Sequence, residues 1–214
     1  MNADLLFYLL VFPGLLFTAI LGLTVGWVDR KVSARFQFRV GPPFFQNFND
    51  IIKLFGKETI IPRQGVSSLF VISPFAAFGI IVVTSAIVGA ALFLNKTIAG
   101  DLIVIMYLLM TVSVMVILGG SSSGNIYSSI GSGREMLMLL ADEFAFILVM
   151  LVPIVKSGYQ LSLEQIILYQ NQEGVFIASL SGILGFIAGI LCIQAKMTMP
   201  PFHIPEAETE IIDG

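Results

Sequence analysis

The sequence of 214 residues has little of the side-chain chemistry on which most enzymes depend. It contains one cysteine, Cys192, and one histidine, His203. A single cysteine excludes a disulfide within the chain and any iron–sulfur cluster ligated by this chain alone. A single histidine argues against a metal site of ordinary composition. We therefore predict no catalytic, cofactor-binding or metal-ligating residue in this chain.

Charge is also scarce, whereas hydrophobic residues are abundant. Charged residues make up 12% of the chain and hydrophobic residues 57%, with a mean hydropathy of +0.94. Several apolar runs are long enough to cross a bilayer, and no stretch has the mixed composition of a separate soluble domain. The predicted fold class is all-α, a polytopic membrane protein with one membrane domain over residues 1–214. Its surroundings are the lipid bilayer, and we expect no nucleic-acid partner.

Five segments are predicted to span the membrane, and their approximate bounds are 5–28, 66–95, 101–119, 134–156 and 175–195. The first has neither a basic N-terminal region nor a small-residue cleavage pattern, so it is interpreted as a retained helix rather than a signal peptide. Small residues recur at helical spacing around the last span, which predicts a face for close helix packing: Ala178, Gly182, Gly185 and Gly189.

Basic residues concentrate in the connection after the first span. Seven of the eleven Lys and Arg residues lie there: Arg30, Lys31, Arg35, Arg39, Lys53, Lys57 and Arg63. The positive-inside rule places this connection in the cytoplasm and the N-terminus outside the plasma (inner) membrane. Alternation then places 120–133 and the acidic C-terminal stretch in the cytoplasm, and 96–100 and 157–174 outside.

Part of this basic connection has the pattern of an amphipathic helix. In "FFQNFNDIIKLFGKE" (44–58), apolar residues recur at helical spacing: Phe45, Phe48, Ile51, Ile52 and Phe55. This predicts a helix lying in the plane of the membrane interface, and lipid anchoring alone would explain it. Upstream, Arg35 and Arg39 precede a Gly-Pro-Pro turn. They could receive an acidic partner surface or serve only as ordinary positive-inside charge.

The stretch "GGSSSGNIYSSIGSGREM" (119–136) is rich in glycine and serine, which predicts a flexible connection. It lacks the Gly-Lys-[Ser/Thr] ending of a phosphate-binding loop, so we predict no nucleotide site. Ser132 followed by Glu135 has the spacing of a capping box. This pair is predicted to start the next helix.

That next helix carries two adjacent acids. Asp142 and Glu143 follow Arg134 by eight and nine residues, or roughly 12–14 Å at 1.5 Å per residue, near the middle of a bilayer about 30 Å thick. Burial there costs each acid at least ~2.5 kcal/mol, so both should face protein or water. Glu135 and Asp142 share a face, whereas Glu143 points about 100° away. The acids either handle protons or cations, which we favour, or only bond neighbouring helices.

Three stretches of the chain share a pattern with a known family: 29–58, 131–143 and 201–214. Together they resemble the membrane subunit 1 of respiratory complex I and of the related energy-converting NiFe hydrogenases. The third, "PFHIPEAETEIIDG", is similar to the family pattern Pro-Phe-Asp-Leu-Pro-Glu-Ala-Glu-Ser-Glu-Leu, and it places three glutamates on those of the family: Glu206, Glu208 and Glu210. Glu143 falls on the family's buried glutamate, nine residues after the matching Arg134.

The resemblance implies a subunit that joins a peripheral redox arm to the membrane arm and is not catalytic alone. It implies an ion or proton path along Asp142, Glu143, Glu206, Glu208 and Glu210. Docking to partners is assigned to Arg35, Arg39, Lys53, Lys57, Glu58 and Arg134. The implied partners are hydrogenase-like large and small subunits, an iron–sulfur subunit and antiporter-like membrane subunits. Iron–sulfur clusters and a NiFe site, or a quinone, would belong to the complex and not to this chain.

Two departures from the family pattern bear on these implications. His203 stands where the family usually has aspartate, and "RVGPP" lacks the repeated Gly-Pro element of complex I, which favours the hydrogenase-type branch. The alternatives are a quinone-site subunit of a complex I-type NADH or ferredoxin:quinone oxidoreductase, and a non-redox secondary cation transporter. The lack of an internal repeat argues against the transporter. Because family members continue with more helices, we expect further helices after residue 214.

Overall fold

The computed structural model describes residues 3–63, 65–94 and 102–205. These residues form eight α-helices: α1 (Ala3–Leu10), α2 (Leu15–Phe36), α3 (Gln46–Phe55), α4 (Ser67–Leu94), α5 (Leu102–Ser122), α6 (Ile126–Lys156), α7 (Leu163–Glu173) and α8 (Leu180–Lys196). Four spans are long and apolar enough to cross a membrane: Leu6–Phe36, α4, α5 and α6. The apolar helix α8 is shorter, with 17 residues. The all-α, polytopic fold is therefore confirmed.

The chain divides into two compact units, residues 1–60 and 61–214, and the single membrane domain stays a prediction. In the first unit, the predicted helix 5–28 is two helices that break at residues 11–14. Pro13 is fully buried at the break, where it lacks the backbone N–H that a helix interior needs. At Gly14 a Cβ would collide with the carbonyl oxygen of Leu9, so the turn requires glycine. Beyond the break, α2 continues to Phe36.

The connection between α2 and α3 folds back onto α2. The indole Nε1 of Trp27 donates a hydrogen bond to the carbonyl oxygen of Pro42 at 3.2 Å, and Lys31 Nζ donates to that of Val40 at 3.0 Å. The ring of Trp27 also meets that of Phe44 edge-on, with the ring centroids 5.1 Å apart. Side chains of α2 therefore fix the path of this loop.

Helix α3 is held to α2 by the buried side chain of Asn47, whose Nδ2 donates to the carbonyl oxygen of Leu23 at 2.9 Å. The predicted amphipathic helix is thus present, over Gln46–Phe55. Its apolar residues Ile52 and Phe55 are 70% and 87% exposed. Placement of this exposed face in the membrane interface stays a prediction.

In the second unit α4 packs on α5, α5 on α6 and α6 on α8. The glycines at the end of α5 allow close approach: a side chain at Gly119 would meet Ser73 of α4, and Ser128 Oγ of α6 donates to the carbonyl oxygen of Gly120 at 2.8 Å. The prediction of a flexible Gly-Ser connection over 119–136 is therefore wrong. In a membrane protein, glycine and serine serve helix packing as readily as they serve loops.

Helix α6 begins earlier than the sequence predicts. Asn125 caps it by accepting a hydrogen bond from the backbone N–H of Tyr127 at 3.1 Å, and the helix starts at Ile126. The predicted capping box at Ser132 is wrong. Ser132 lies inside the helix, and its hydroxyl donates to the carbonyl oxygen of Ser128 at 2.8 Å. The early start makes α6 a helix of 31 residues.

The small-residue face of α8 packs against α6 of the same chain. A Cβ at Gly185 would lie 3.3 Å from Val152, and one at Gly189 would lie 3.4 Å from Val149. At Gly182 a Cβ would collide with the carbonyl oxygen of Phe176, in the short 3-10 helix Phe176–Ala178 that precedes α8. The predicted packing face is therefore confirmed for Gly185 and Gly189, whereas Gly182 lies against the turn that precedes α8 and Ala178 lies before the helix. Another helix, α7, lies within the predicted outer connection 157–174.

Candidate functional site

Helix α6 separates its exposed and buried residues by face. Its exposed side includes large apolar residues at helical spacing: Leu137, Leu140, Phe144, Leu148 and Leu151. Its buried residues are Leu139, Asp142, Glu143, Phe146 and Ile154. The two acids lie close to the midpoint of the helix and face protein. This agrees with the high cost of exposing an acid to lipid.

Both carboxylates converge on one lysine at the end of α8. Lys196 Nζ lies 3.0 Å from Asp142 Oδ2 and donates a hydrogen bond to Glu143 Oε2 at 2.8 Å. The side chains are 14% exposed for Lys196, 6% for Asp142 and 12% for Glu143. Although neighbouring residues on a helix point about 100° apart, the long lysine side chain lies between their carboxylates. We call Asp142, Glu143 and Lys196 the triad.

An aromatic ring lies beside the lysine of the triad. Nζ of Lys196 lies 4.7 Å from the centre of the Phe146 ring, a distance at which the ring attracts the cation. Phe146 is 3% exposed. Cys192, one helical turn before Lys196, is buried. The triad is therefore largely buried, and charge interactions are stronger there than in water.

The fully ionised triad carries two negative charges and one positive charge. Its net charge is −1, and one added proton makes it neutral. Excess charge is costly in a membrane interior, and one bound cation would also neutralise it. Within the described ranges, no three His, Cys, Asp or Glu side chains group in the way that a metal site would need.

A cavity of 460 Å³ adjoins the triad. It is lined by α5, α6 and the segment after α8, and its polar lining comprises Ser113, Ser128, Ser132, Glu135, Lys196 and Thr198. Lys196 thus contacts both the carboxylate pair and the cavity. Glu135, which the sequence placed on the face of Asp142, lines the cavity. The cavity therefore reaches the triad at Lys196.

The acidic C-terminal stretch follows this cavity in the sequence. Pro205, which precedes Glu206, lines the cavity. Arg134 Nη1 donates to the carbonyl oxygen of Ile204 at 3.4 Å, which joins α6 to this segment. Glu206, Glu208 and Glu210 lie outside the described residues, and their part in the ion path stays a prediction.

The predicted docking residues fall in both units. The first unit carries five of the six, and all five are exposed: Arg35, Arg39, Lys53, Lys57 and Glu58. The sixth, Arg134, is half-buried on α6 in the second unit. The role of all six in docking stays a prediction.

Lys196 is the site residue that the sequence did not predict. A lysine at the end of an apolar segment is usually interpreted as a charge that reaches the membrane surface. Its partners on α6 are more than fifty residues away in the sequence, so no local pattern pairs them. One sequence feature could have identified Lys196. It follows Cys192 by one helical turn and therefore lies on the same side of α8 as this buried cysteine.

Comparison with known proteins adds to this geometry. The family model described as NADH dehydrogenase matches residues 8–214. An NADH-quinone oxidoreductase subunit of Dehalococcoides mccartyi strain CBDB1 is 32% identical over 220 residues, which cover 98% of this chain and 60% of that protein. The corresponding NADH-quinone oxidoreductase subunit of Thermomicrobium roseum is 32% identical over 213 residues, which cover 88% of this chain and 62% of that protein.

A solved structure is similar as well. A chain of the membrane-bound sulfane sulfur reductase, an archaeal respiratory membrane complex, matches with a TM-score of 0.77 and 29% identity, covering 92% of this chain and 66% of that chain. This chain thus spans about 60% of the length of the two NADH-quinone oxidoreductase relatives. As its three sequence stretches predict, the chain belongs to the NADH dehydrogenase subunit 1 family.

Proposed function

We propose that this chain is a membrane subunit that links a peripheral redox module to the movement of protons or sodium ions across the plasma membrane. The observation that carries the proposal is the bridge from Lys196 to the adjacent buried carboxylates of Asp142 and Glu143. Ionisable residues held at mid-helix in a membrane protein are functional candidates because their burial is costly. The chain itself would perform no redox chemistry, since its single cysteine cannot hold a cluster alone.

Coupling would be electrostatic. A change of charge in the docked module would change the electrostatic potential at the triad. The triad would bind one proton or cation more tightly when that potential becomes more negative. The cavity beside Lys196 supplies access to the triad. Glu206, Glu208 and Glu210 follow this cavity in the sequence, and they would extend the ion path towards the module.

The partners are proposed from the family resemblance. They are hydrogenase-like large and small subunits, an iron–sulfur subunit and antiporter-like membrane subunits, and the compact "RVGPP" favours this hydrogenase-type branch. A quinone-site subunit is the second candidate, because the relatives in sequence are named NADH-quinone oxidoreductase subunits. The solved structure belongs to a complex named sulfane sulfur reductase and not to a quinone oxidoreductase. Chains of similar fold therefore occur in complexes whose names give different substrates.

Purification through this chain from native membranes tests the proposal. We expect mass spectrometry to identify iron–sulfur proteins and further membrane subunits in stoichiometric amounts. Hydrogenase-like subunits would support the favoured branch, and quinone-type subunits would support the second candidate. A chain that purifies without redox partners and still transports cations would contradict both.

The orientation leads to a labelling prediction. The exposed residues Asn49 on α3 and Gln172 on α7 should lie on opposite sides of the membrane, because the basic connection is proposed to be cytoplasmic. An impermeant thiol reagent should label Asn49→Cys only from the cytoplasm and Gln172→Cys only from outside. The unmodified chain is the control for the buried Cys192. The reverse labelling pattern would show that the orientation is wrong.

The docking proposal predicts a charge-reversal effect. Arg35 and Arg39 are exposed, so Arg35→Glu combined with Arg39→Glu should weaken attachment of the peripheral module about tenfold or more through lost attraction and new repulsion. Attachment is measured as the module retained on washed membranes at increasing salt. Arg35→Glu alone is compared with Arg63→Glu, an exposed arginine outside the predicted docking set. Equal loss in these two single variants would indicate a general effect of positive charge.

A further inference from the structure

The ammonium group of Lys196 occupies the position that a cation shared by the two carboxylates would take. Nζ lies 3.0 Å from Asp142 Oδ2 and 2.8 Å from Glu143 Oε2. Hard metal cations are bound by several oxygen atoms around one centre. Two of the oxygens that could serve a sodium ion are therefore already paired with a cation that belongs to the protein.

Two neighbours of Lys196 do not compensate for this. They are the ring of Phe146 and, on α8, the thiol of Cys192, and neither supplies an oxygen ligand. The cavity does offer hydroxyl oxygens, those of Ser113, Ser128, Ser132 and Thr198. A sodium ion there would still meet the like charge of Lys196 at close range, whereas a proton needs no coordination sphere.

The lysine is also held by its backbone. Lys196 ends α8, and the next turns are closed by hydrogen bonds from the N–H of Met197 to the carbonyl oxygen of Ile193 and from that of Thr198 to Ala195, each at 3.0 Å. These bonds fix the backbone from which the lysine side chain reaches the carboxylates.

From this geometry we infer that Lys196 makes the Asp142–Glu143 pair selective for protons and excludes sodium ions from it. This inference rests on the proposed function and names the ion that the triad exchanges. Lys196 is then a specificity-determining residue. Its ammonium group provides the positive charge that a bound sodium ion would otherwise provide, and one negative charge of the carboxylate pair remains for a proton to neutralise.

Carbodiimide labelling of the purified complex tests the inference at the site itself. A carbodiimide reacts with protonated carboxyl groups, and mass spectrometry of the peptide that contains Asp142 and Glu143 measures the modification. In the unmodified complex, replacing choline chloride by sodium chloride at constant pH should leave the labelling rate unchanged. In Lys196→Ala, where no protein cation pairs with the carboxylates, sodium should slow labelling several-fold by competing with the proton.

Lys196→Gln is the second variant, since it removes the charge, keeps much of the side-chain length and adds an oxygen ligand. It too should gain sodium protection, whereas Lys196→Arg should not. Sodium protection of the unmodified complex would overturn the inference. The inference would also be overturned if sodium left the labelling rate unchanged in both Lys196→Ala and Lys196→Gln. Removal of the lysine charge would then not admit sodium ions to the carboxylates. Failure of the proposed function would be seen in a different measurement. Complexes that carry Glu143→Gln would then move ions at the normal rate, whatever effect sodium has on carbodiimide labelling.

Discussion

Complexes that carry Glu143→Gln are expected to assemble and transfer electrons but to lose redox-driven ion movement. Glutamine keeps the shape of the side chain, and its carbonyl oxygen can still accept from Lys196. The substitution removes one of the two negative charges, so Lys196 and Asp142 form a neutral pair that has no excess charge for a proton to neutralise. We expect the initial rate of gradient formation to fall about tenfold or more, on the scale of charge interactions at buried sites.

The measurement uses membrane vesicles, with a fluorescent probe of the gradient and a separate assay of electron transfer. Asp142→Asn is the matched comparison, because it removes the same charge and also leaves a neutral pair. A smaller loss in Asp142→Asn is expected from the family resemblance, in which only Glu143 falls on the buried glutamate, and the difference between the variants measures what that position adds to the effect of charge. Co-purification of the partner subunits controls for assembly. If Glu143→Gln forms the gradient at the normal rate, the carboxylates only bond α6 to α8 and the ion-path proposal is wrong.

Gly182→Ala is expected to destabilise the second unit strongly although it adds only one methyl group. The new Cβ would collide with the carbonyl oxygen of Phe176, a backbone atom that cannot rotate away. Overpacking of this kind costs typically about 1–3 kcal/mol. Since α8 also carries Lys196, the displacement should disturb the triad. The loss should be measurable as a lower midpoint of thermal unfolding in detergent.

Gly133→Ala is the matched control, because Gly133 also lies in a helix, α6, and a Cβ there would meet nothing within 4 Å. Alanine is the better helix former by up to about 1 kcal/mol. This variant should therefore be as stable as the unmodified chain or slightly more stable. Equal destabilisation by both substitutions would show that the close contact at Gly182 is not what limits stability.

The sequence predicts the spans well because each depends on a long apolar run, a property of local composition. It also places Asp142 and Glu143 on the packed side of α6, because lipid exposure of two acids would be too costly. The sequence misplaces the start of α6 for a physical reason. Gly120 and Ser128 have loop-like composition, yet in the structure they join two helices at close range.

The interaction at the centre of the site could not be predicted in the same way. Lys196 meets Asp142 and Glu143 because α8 packs on α6, at a distance where a Cβ at Gly185 would already be tight against Val152. The small-residue pattern predicts that some helix packs there, but it does not specify which one. Long-range pairing of this kind is set by tertiary packing and not by the local sequence.

The fastening of α3 to α2 has a consequence for the thermodynamics of partner binding. Trp27 and Lys31 fix the loop, and Asn47 fixes the helix, through hydrogen bonds to backbone carbonyl groups. A surface that is already ordered loses little conformational entropy when a partner covers it. Binding through Lys53 and Lys57 would then be limited by desolvation and side-chain ordering and not by folding of the loop. Such a surface can bind and release a partner without a large change in heat capacity from coupled folding.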